Sequence, residues 1–126
     1  MSKYQKPTES ELEILSILWE KGTATVREVH DVVNKTKDVG YTTTLKLMQI
    51  MHEKGLVSRN ESSKTHIYTP VFEKEQAQEQ YITKMIKTLF SGSSSQLVLQ
   101  ALGNHQSSQE ELAEIKSLIE QIEKRK

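Results

Sequence analysis

No cysteine occurs among the 126 residues, which excludes disulfides, thiolate metal sites and a cysteine nucleophile. Apolar runs are only a few residues long, far short of the roughly 20 that span a bilayer. The opening stretch, MSKYQKPTESE, lacks the apolar core of a signal peptide. A soluble, cytoplasmic chain is therefore expected. The length excludes a multidomain enzyme and allows one domain, or one small domain with an appendage. A surplus of charge is missing as well: 17 Lys and Arg balance 17 Asp and Glu. Taken alone, that balance argues against nucleic acid, whose binding domains are usually basic.

Clustered reactive groups are also lacking. His30, His52, His66 and His105 are scattered, and His52-Glu53-Lys54 has no second histidine at the spacing of a zinc protease. The five glycines form no phosphate loop, and Ser91 to Ser95 has the composition of a linker rather than of a nucleophile elbow. No catalytic residue, metal site or cofactor is expected, and the chain is read as something other than an enzyme.

What the sequence does contain is helical periodicity with marked starts. Thr8 to Glu11, Thr25 to Glu28 and Ser108 to Glu111 each match S/T-x-x-E, in which hydroxyl and carboxylate satisfy backbone N–H groups left over at a helix start. The first helix places Leu12, Leu15, Leu18 and Trp19 on one face and stops at Gly22, and the second groups Val26, Val29, Val32 and Val33. A third runs from about Thr42 to Lys54, with Thr44, Leu47, Met48 and Met51 facing inward and Gly55 as terminator. The period then changes. Leu56 to Arg59 and Thr65 to Thr69 flank the turn-rich Asn60 to Lys64 and predict a hairpin that stops at Pro70.

From Glu73 onward, Ala77, Tyr81, Ile82, Met85, Ile86, Leu89 and Phe90 form an apolar stripe at helical spacing. A short apolar segment, Leu97 to Leu102, follows the serine-rich stretch. A last helix spaces Leu112, Ile115, Ile119 and Ile122 like a short coiled-coil seam. This part has more apolar stripe than it can bury within itself, so Ile82, Met85, Ile86, Leu89, Leu112, Ile115, Ile119 and Ile122 are candidates for a homodimer interface. Folding back onto the first part is the alternative. The expected fold class is mainly α with a small β-hairpin. Residues 1–72 would form a winged helix-turn-helix domain and residues 73–126 a helical dimerisation domain.

In a winged helix-turn-helix, the second helix of the pair lies in the DNA major groove and the wing touches the backbone beside it. The outward face of the third helix carries Thr42, Thr43, Lys46 and Gln49, with no acid before Glu53. Hydroxyls at a helix start suit phosphate, lysine suits phosphate or a guanine edge, and glutamine pairs with adenine. Arg59 and Lys64 add two cations to the hairpin, although Glu61 dilutes them. An ordinary solvated helix face is the competing explanation, and His66 reads equally well as packed or solvated. Trp19 and Tyr41 are read as core residues, with phosphate contact an alternative for Tyr41.

The stretches PTESELEILSILWEKGTATVREVH (7–30) and DVGYTTTLKLMQIMHEKGLV (38–57) closely resemble the BlaI/MecI/CopY family of bacterial transcriptional repressors. The resemblance extends over nearly the whole chain and is most specific in the first 70 residues. It implies a homodimeric winged-helix repressor on a double-stranded, dyad DNA operator, with the recognition helix starting at Thr42 and Thr43, Lys46 following, and the wing on Arg59 to Tyr68. Copper-responsive members carry paired C-terminal cysteines, which this chain lacks. Resistance-type members are cut at an Asn-Phe bond after a membrane sensor metalloprotease is triggered, whereas Gln100-Ala101 stands at the similar position here. Such a protease is an implied partner, and the Ser91 to Ser95 and Gly103 to Ser107 stretches are its more accessible targets. A winged-helix module that binds protein instead of DNA is the alternative function.

The charge balance looks different when divided. Residues 39–72 hold four bases (Lys46, Lys54, Arg59, Lys64) against two acids (Glu53, Glu61), while the first helix carries Glu9, Glu11, Glu13 and Glu20. Neutrality is a cancellation between surfaces, which predicts modest non-specific affinity and reliance on dimerisation.

Overall fold

The computed structural model describes residues 6–104 and 106–125; residues 1–5, His105 and Lys126 lie outside the described residues. Helices α1 (Glu9–Lys21), α2 (Val26–Val33) and α3 (Tyr41–Glu53) precede strands β1 (Val57–Asn60) and β2 (Ile67–Pro70). Helices α4 (Lys74–Leu89), α5 (Ser94–Asn104) and α6 (Gln109–Lys124) complete the order.

The helix starts form as their local chemistry dictates. The Thr8 hydroxyl accepts the Glu11 N–H at 3.2 Å, and Glu11 Oε1 accepts the Thr8 N–H at 2.8 Å. Thr25 and Glu28 repeat this reciprocal pair at 3.1 and 2.9 Å. Ser108 caps α6 by accepting the Glu111 N–H at 3.0 Å. Gly22 and Gly55 follow α1 and α3 with φ of +88° and +83°, a region where a Cβ would be strained.

The chain divides into two compact units, Met1–Gln80 and Tyr81–Lys126, the first of which includes the start of α4. The core of the first unit comes from Ile14, Leu15 and Leu18 of α1, Val29 of α2, Met48 and Met51 of α3, and Leu56, Tyr68 and Phe72 around the hairpin. Six residues expected inside, Leu12, Trp19, Val32, Val33, Tyr41 and Leu47, are only half-buried. Leu12, Val32 and Val33 line a surface groove between α1 and α2, and Leu47 borders a cavity of about 100 Å³ under the start of α3. Ile14 and Glu11 face inward instead, because a 3.6-residue period spreads a stripe over more positions than three-residue steps suggest.

Long-range polar bonds tie the elements together. The buried Glu11 carboxylate, 2 % exposed, meets Lys54 Nζ at 2.7 Å and so joins the start of α1 to the end of α3. Trp19 Nε1 donates to the Phe72 carbonyl at 2.8 Å, which makes the half-buried Trp19 a structural residue. The strands pair antiparallel with Arg59 opposite Tyr68, and Ala24 bonds Tyr68 in both directions at 3.0 and 2.8 Å, fastening the wing to the segment before α2.

In the second unit none of the described residues is buried. Ser94 and Ser95 begin α5 rather than belonging to a linker, because Ser93 accepts the Gln96 N–H at 3.2 Å and serves as a helix cap. The break between α4 and α5 is therefore confined to Phe90–Ser93, where Ser91 and Gly92 have φ of +50° and +83°. Gly103 and Asn104 likewise end α5 instead of opening a turn, with Asn104 Nδ2 donating to Gln100 Oε1 one helical turn earlier. The apolar run 97–102 is thus the middle of a helix, and Gln100 and Ala101 are exposed on it.

Candidate nucleic-acid interface

Helix α3 is held by one side and offers the other. Thr44, Met48 and Met51 are buried, and the Thr44 hydroxyl lies 3.0 Å from Nδ1 of the buried His30, which locks α3 to α2. On the opposite side Thr42, Thr43, Lys46 and Gln49 are all exposed. The helix starts at Gly40 with no side-chain cap and no acid in its first turn, so neither offsets its positive end. Among the described residues Lys46 forms no ion pair.

Two surface hollows flank this face. Thr42, Thr43, Lys46, Leu47 and Ile50 line one. Gln49 lines the other, of about 310 Å³, together with Lys64 and His66 from the hairpin and Arg27 from α2. The fold thus brings Lys64 beside the outer face of α3, although the two are far apart in sequence. Arg59 is placed differently. Its guanidinium contacts Glu61 at 2.6 and 2.7 Å, and hydrogen bonds to Tyr68 and Glu61 hold it even more firmly charged than a free arginine. The same pairing keeps the Glu61 carboxyl below its ordinary value. Arg59 and Glu61 therefore largely cancel at the wing, leaving Lys64 as its exposed cation without an ion pair among the described residues.

Tyr41 is half-buried rather than a core residue. Its ring meets His30 edge-on, with centroids 5.5 Å apart, and the Arg27 guanidinium sits 4.4 Å from its centroid. Arg27 has no distinguishing mark in the sequence pattern. A cation stacked on a ring fourteen positions away leaves no periodic signal, and only the turn between α2 and α3 brings the pair together. The candidate dimer residues lie on α4 and α6: Ile82, Met85, Leu89, Leu112, Ile119 and Ile122 are exposed, while Ile86 and Ile115 are half-buried.

The family model described as penicillinase repressor matches residues 7–121. The chain belongs to the penicillinase repressor family. Relatives of this family member include the penicillinase repressor of Bacillus licheniformis, 24% identical over 126 residues that cover all of this chain and 98% of that protein. The methicillin resistance regulatory protein MecI of Staphylococcus aureus is 22% identical over 118 residues, covering 94% of this chain and 96% of MecI. The transcriptional regulator BlaI of Mycobacterium tuberculosis is 31% identical over a shorter stretch of 72 residues, 56% of this chain and 52% of BlaI. The solution structure of the DNA binding domain of the repressor BlaI superposes with a TM-score of 0.53 at 21% identity, covering 60% of this chain and 93% of that one. The fold of this chain is accordingly a winged helix, mainly helical with one antiparallel hairpin, and its family is one of repressors rather than enzymes. Among the described residues no helix is long and apolar enough to cross a membrane.

Proposed function

We propose that the chain is a cytoplasmic, homodimeric transcriptional repressor that binds a dyad operator in double-stranded DNA. Residues 1–72 read the DNA, with α3 in the major groove and the wing against the backbone, and residues 73–126 hold two copies together. The observation that carries this reading is the exposed row Thr42, Thr43, Lys46 and Gln49 on a helix fixed from behind by Thr44, Met48 and Met51, with Lys64 beside it. Hydroxyls and the open helix start suit phosphates, and Lys46 and Gln49 are the side chains with base-reading capacity. Dimerisation is supported by the second unit, where apolar stripes on α4 and α6 lie open in the single chain.

Titrating the chain against a duplex from the promoter upstream of its own coding sequence, at rising salt, tests the reading. If each half-site neutralises about three to five phosphates, affinity falls by about two orders of magnitude or more over a fourfold salt increase. Absence of duplex binding at low salt would replace this reading with a protein-binding winged helix. Release by a membrane sensor metalloprotease belongs to the same proposal, with Phe90–Ser93 the segment suited to cleavage, because it lies between helices. Intact chain and undiminished operator binding after co-expression with such a protease would count against that part.

A further inference from the structure

The hollow between α3 and the hairpin adds residues from outside α3 to the row on that helix. Arg27 from α2, Gln49 from α3, and Lys64 and His66 from the hairpin all line it. Among the described residues no carboxylate lines this hollow. Two acids near it in sequence are already engaged. Glu28 accepts the Thr25 N–H in the α2 capping box, and Glu61 is paired with Arg59. Arg27 forms no ion pair among the described residues. The positive charge of the hollow is therefore uncompensated from within its own lining.

Arg27 is also oriented. An exposed arginine normally samples many rotamers and loses that freedom on binding. Here the guanidinium rests on the Tyr41 ring at 4.4 Å, the ring meets His30 edge-on, and His30 is bonded to the buried Thr44. The chain of contacts runs from an exposed cation to the packed joint between α2 and α3. A guanidinium seated over an aromatic ring still has N–H donors at its edge for a planar or tetrahedral oxyanion.

We infer that this hollow is a backbone-phosphate clamp, in which Arg27, positioned by Tyr41, grips one phosphate of the duplex from the α2 side while Lys64 faces it from the wing. The inference rests on the DNA-binding reading above and adds to it a contact from outside the recognition helix and a positioning role for Tyr41. A phosphate contact is blind to sequence, so the clamp sets where α3 sits rather than which bases it reads.

The test uses the full-length chain with two duplexes of equal length, the promoter duplex named above and a random-sequence duplex. Arg27→Gln weakens binding to both by the same factor, about 3- to 10-fold, and lowers the slope of log affinity against log salt by about one per protomer. Lys46→Ala, by contrast, weakens the promoter duplex more than the random one. Tyr41→Leu also weakens both duplexes equally. In the double variant its effect vanishes, because Arg27 is then no longer there to be oriented. Unchanged affinity and salt slope in Arg27→Gln, whose side chain is exposed and whose loss leaves the core intact, overturns the clamp while wild-type binding keeps the repressor reading. Additive losses for Arg27→Gln and Tyr41→Leu overturn the positioning role. Failure of the wild-type chain to bind either duplex overturns the repressor reading and the clamp together.

Discussion

The two units of this chain both carry apolar helix faces and dispose of them in opposite ways. In the first, Leu15, Leu18, Val29, Met51 and Leu56 are completely inaccessible, and the polar groups among them are matched: Glu11 with Lys54, His30 with Thr44. In the second, Leu89 is 72 % exposed and Leu99 63 % exposed, and no described side chain is buried. Helix formation is similar in both, with serine or threonine caps at α1, α2 and α6. Regular helices alone therefore do not make a core. The first unit closes on itself because a hairpin and three helices enclose a common interior, whereas the stripes on α4 and α6 lie open in the single chain.

The largest expected effect breaks the second unit. Ile115→Asp or Ile119→Asp places an unpaired carboxylate in the proposed interface. Sedimentation should show monomers, and operator affinity should fall by about 10²- to 10⁴-fold as the advantage of two linked reading heads is lost. Variants that remain dimeric and bind the full operator would move the interface elsewhere.

Next comes the first unit's own core. Leu18→Ala, at a fully buried position, should cost about 2 to 5 kcal/mol in denaturant unfolding, independent of protein concentration. Ile82→Ala, at a half-exposed position of α4, should instead destabilise in a concentration-dependent way, since its effect passes through association. Equal behaviour of the two variants would erase the contrast between the units.

A smaller effect concerns the outer face of α3. Lys46→Ala should weaken operator binding by about 1 to 3 kcal/mol and leave the dimer intact. Loss of dimerisation without loss of intrinsic DNA affinity would remove Lys46 from the interface with DNA.

The smallest effect is a matter of pH. Hydrogen bonds from the Thr25 backbone and hydroxyl hold the Glu28 carboxyl below its ordinary value. A folded pKa below the unfolded one contributes stability above the unfolded value, and that contribution disappears as pH falls through the folded value. The stability difference between wild type and Glu28→Gln should therefore be present at neutral pH and absent in acid, once the pH has fallen through the lowered folded value. Urea midpoints at both pH values measure it, and a difference that persists in acid would mean the cap does not depend on the charge.

Much of this is legible in the residues. The S/T-x-x-E starts, the glycine stops after α1 and α3, the hairpin and the inward Thr44, Met48 and Met51 all follow from local patterns. The α5 boundaries are not, because serines that suggest a linker also cap helices, and Ser93 takes that second role. Glu11 is legible as a capping residue but not as a buried one. Its second partner, Lys54, arrives only when α1 and α3 pack. Similarly, Arg59 and Lys64 look alike in sequence, yet the hairpin register puts Arg59 opposite Tyr68 and beside Glu61 while Lys64 stays exposed.

By itself, the sequence determined where helices begin and which face of α3 is polar, because caps and amphipathic faces depend on neighbours three or four residues away. Only the tertiary structure decided which polar residues remain available to a partner. His30 with Thr44, Lys54 with Glu11 and Trp19 with Phe72 are separated by 14, 43 and 53 positions, and such bonds exist only once packing has brought distant segments within hydrogen-bonding distance.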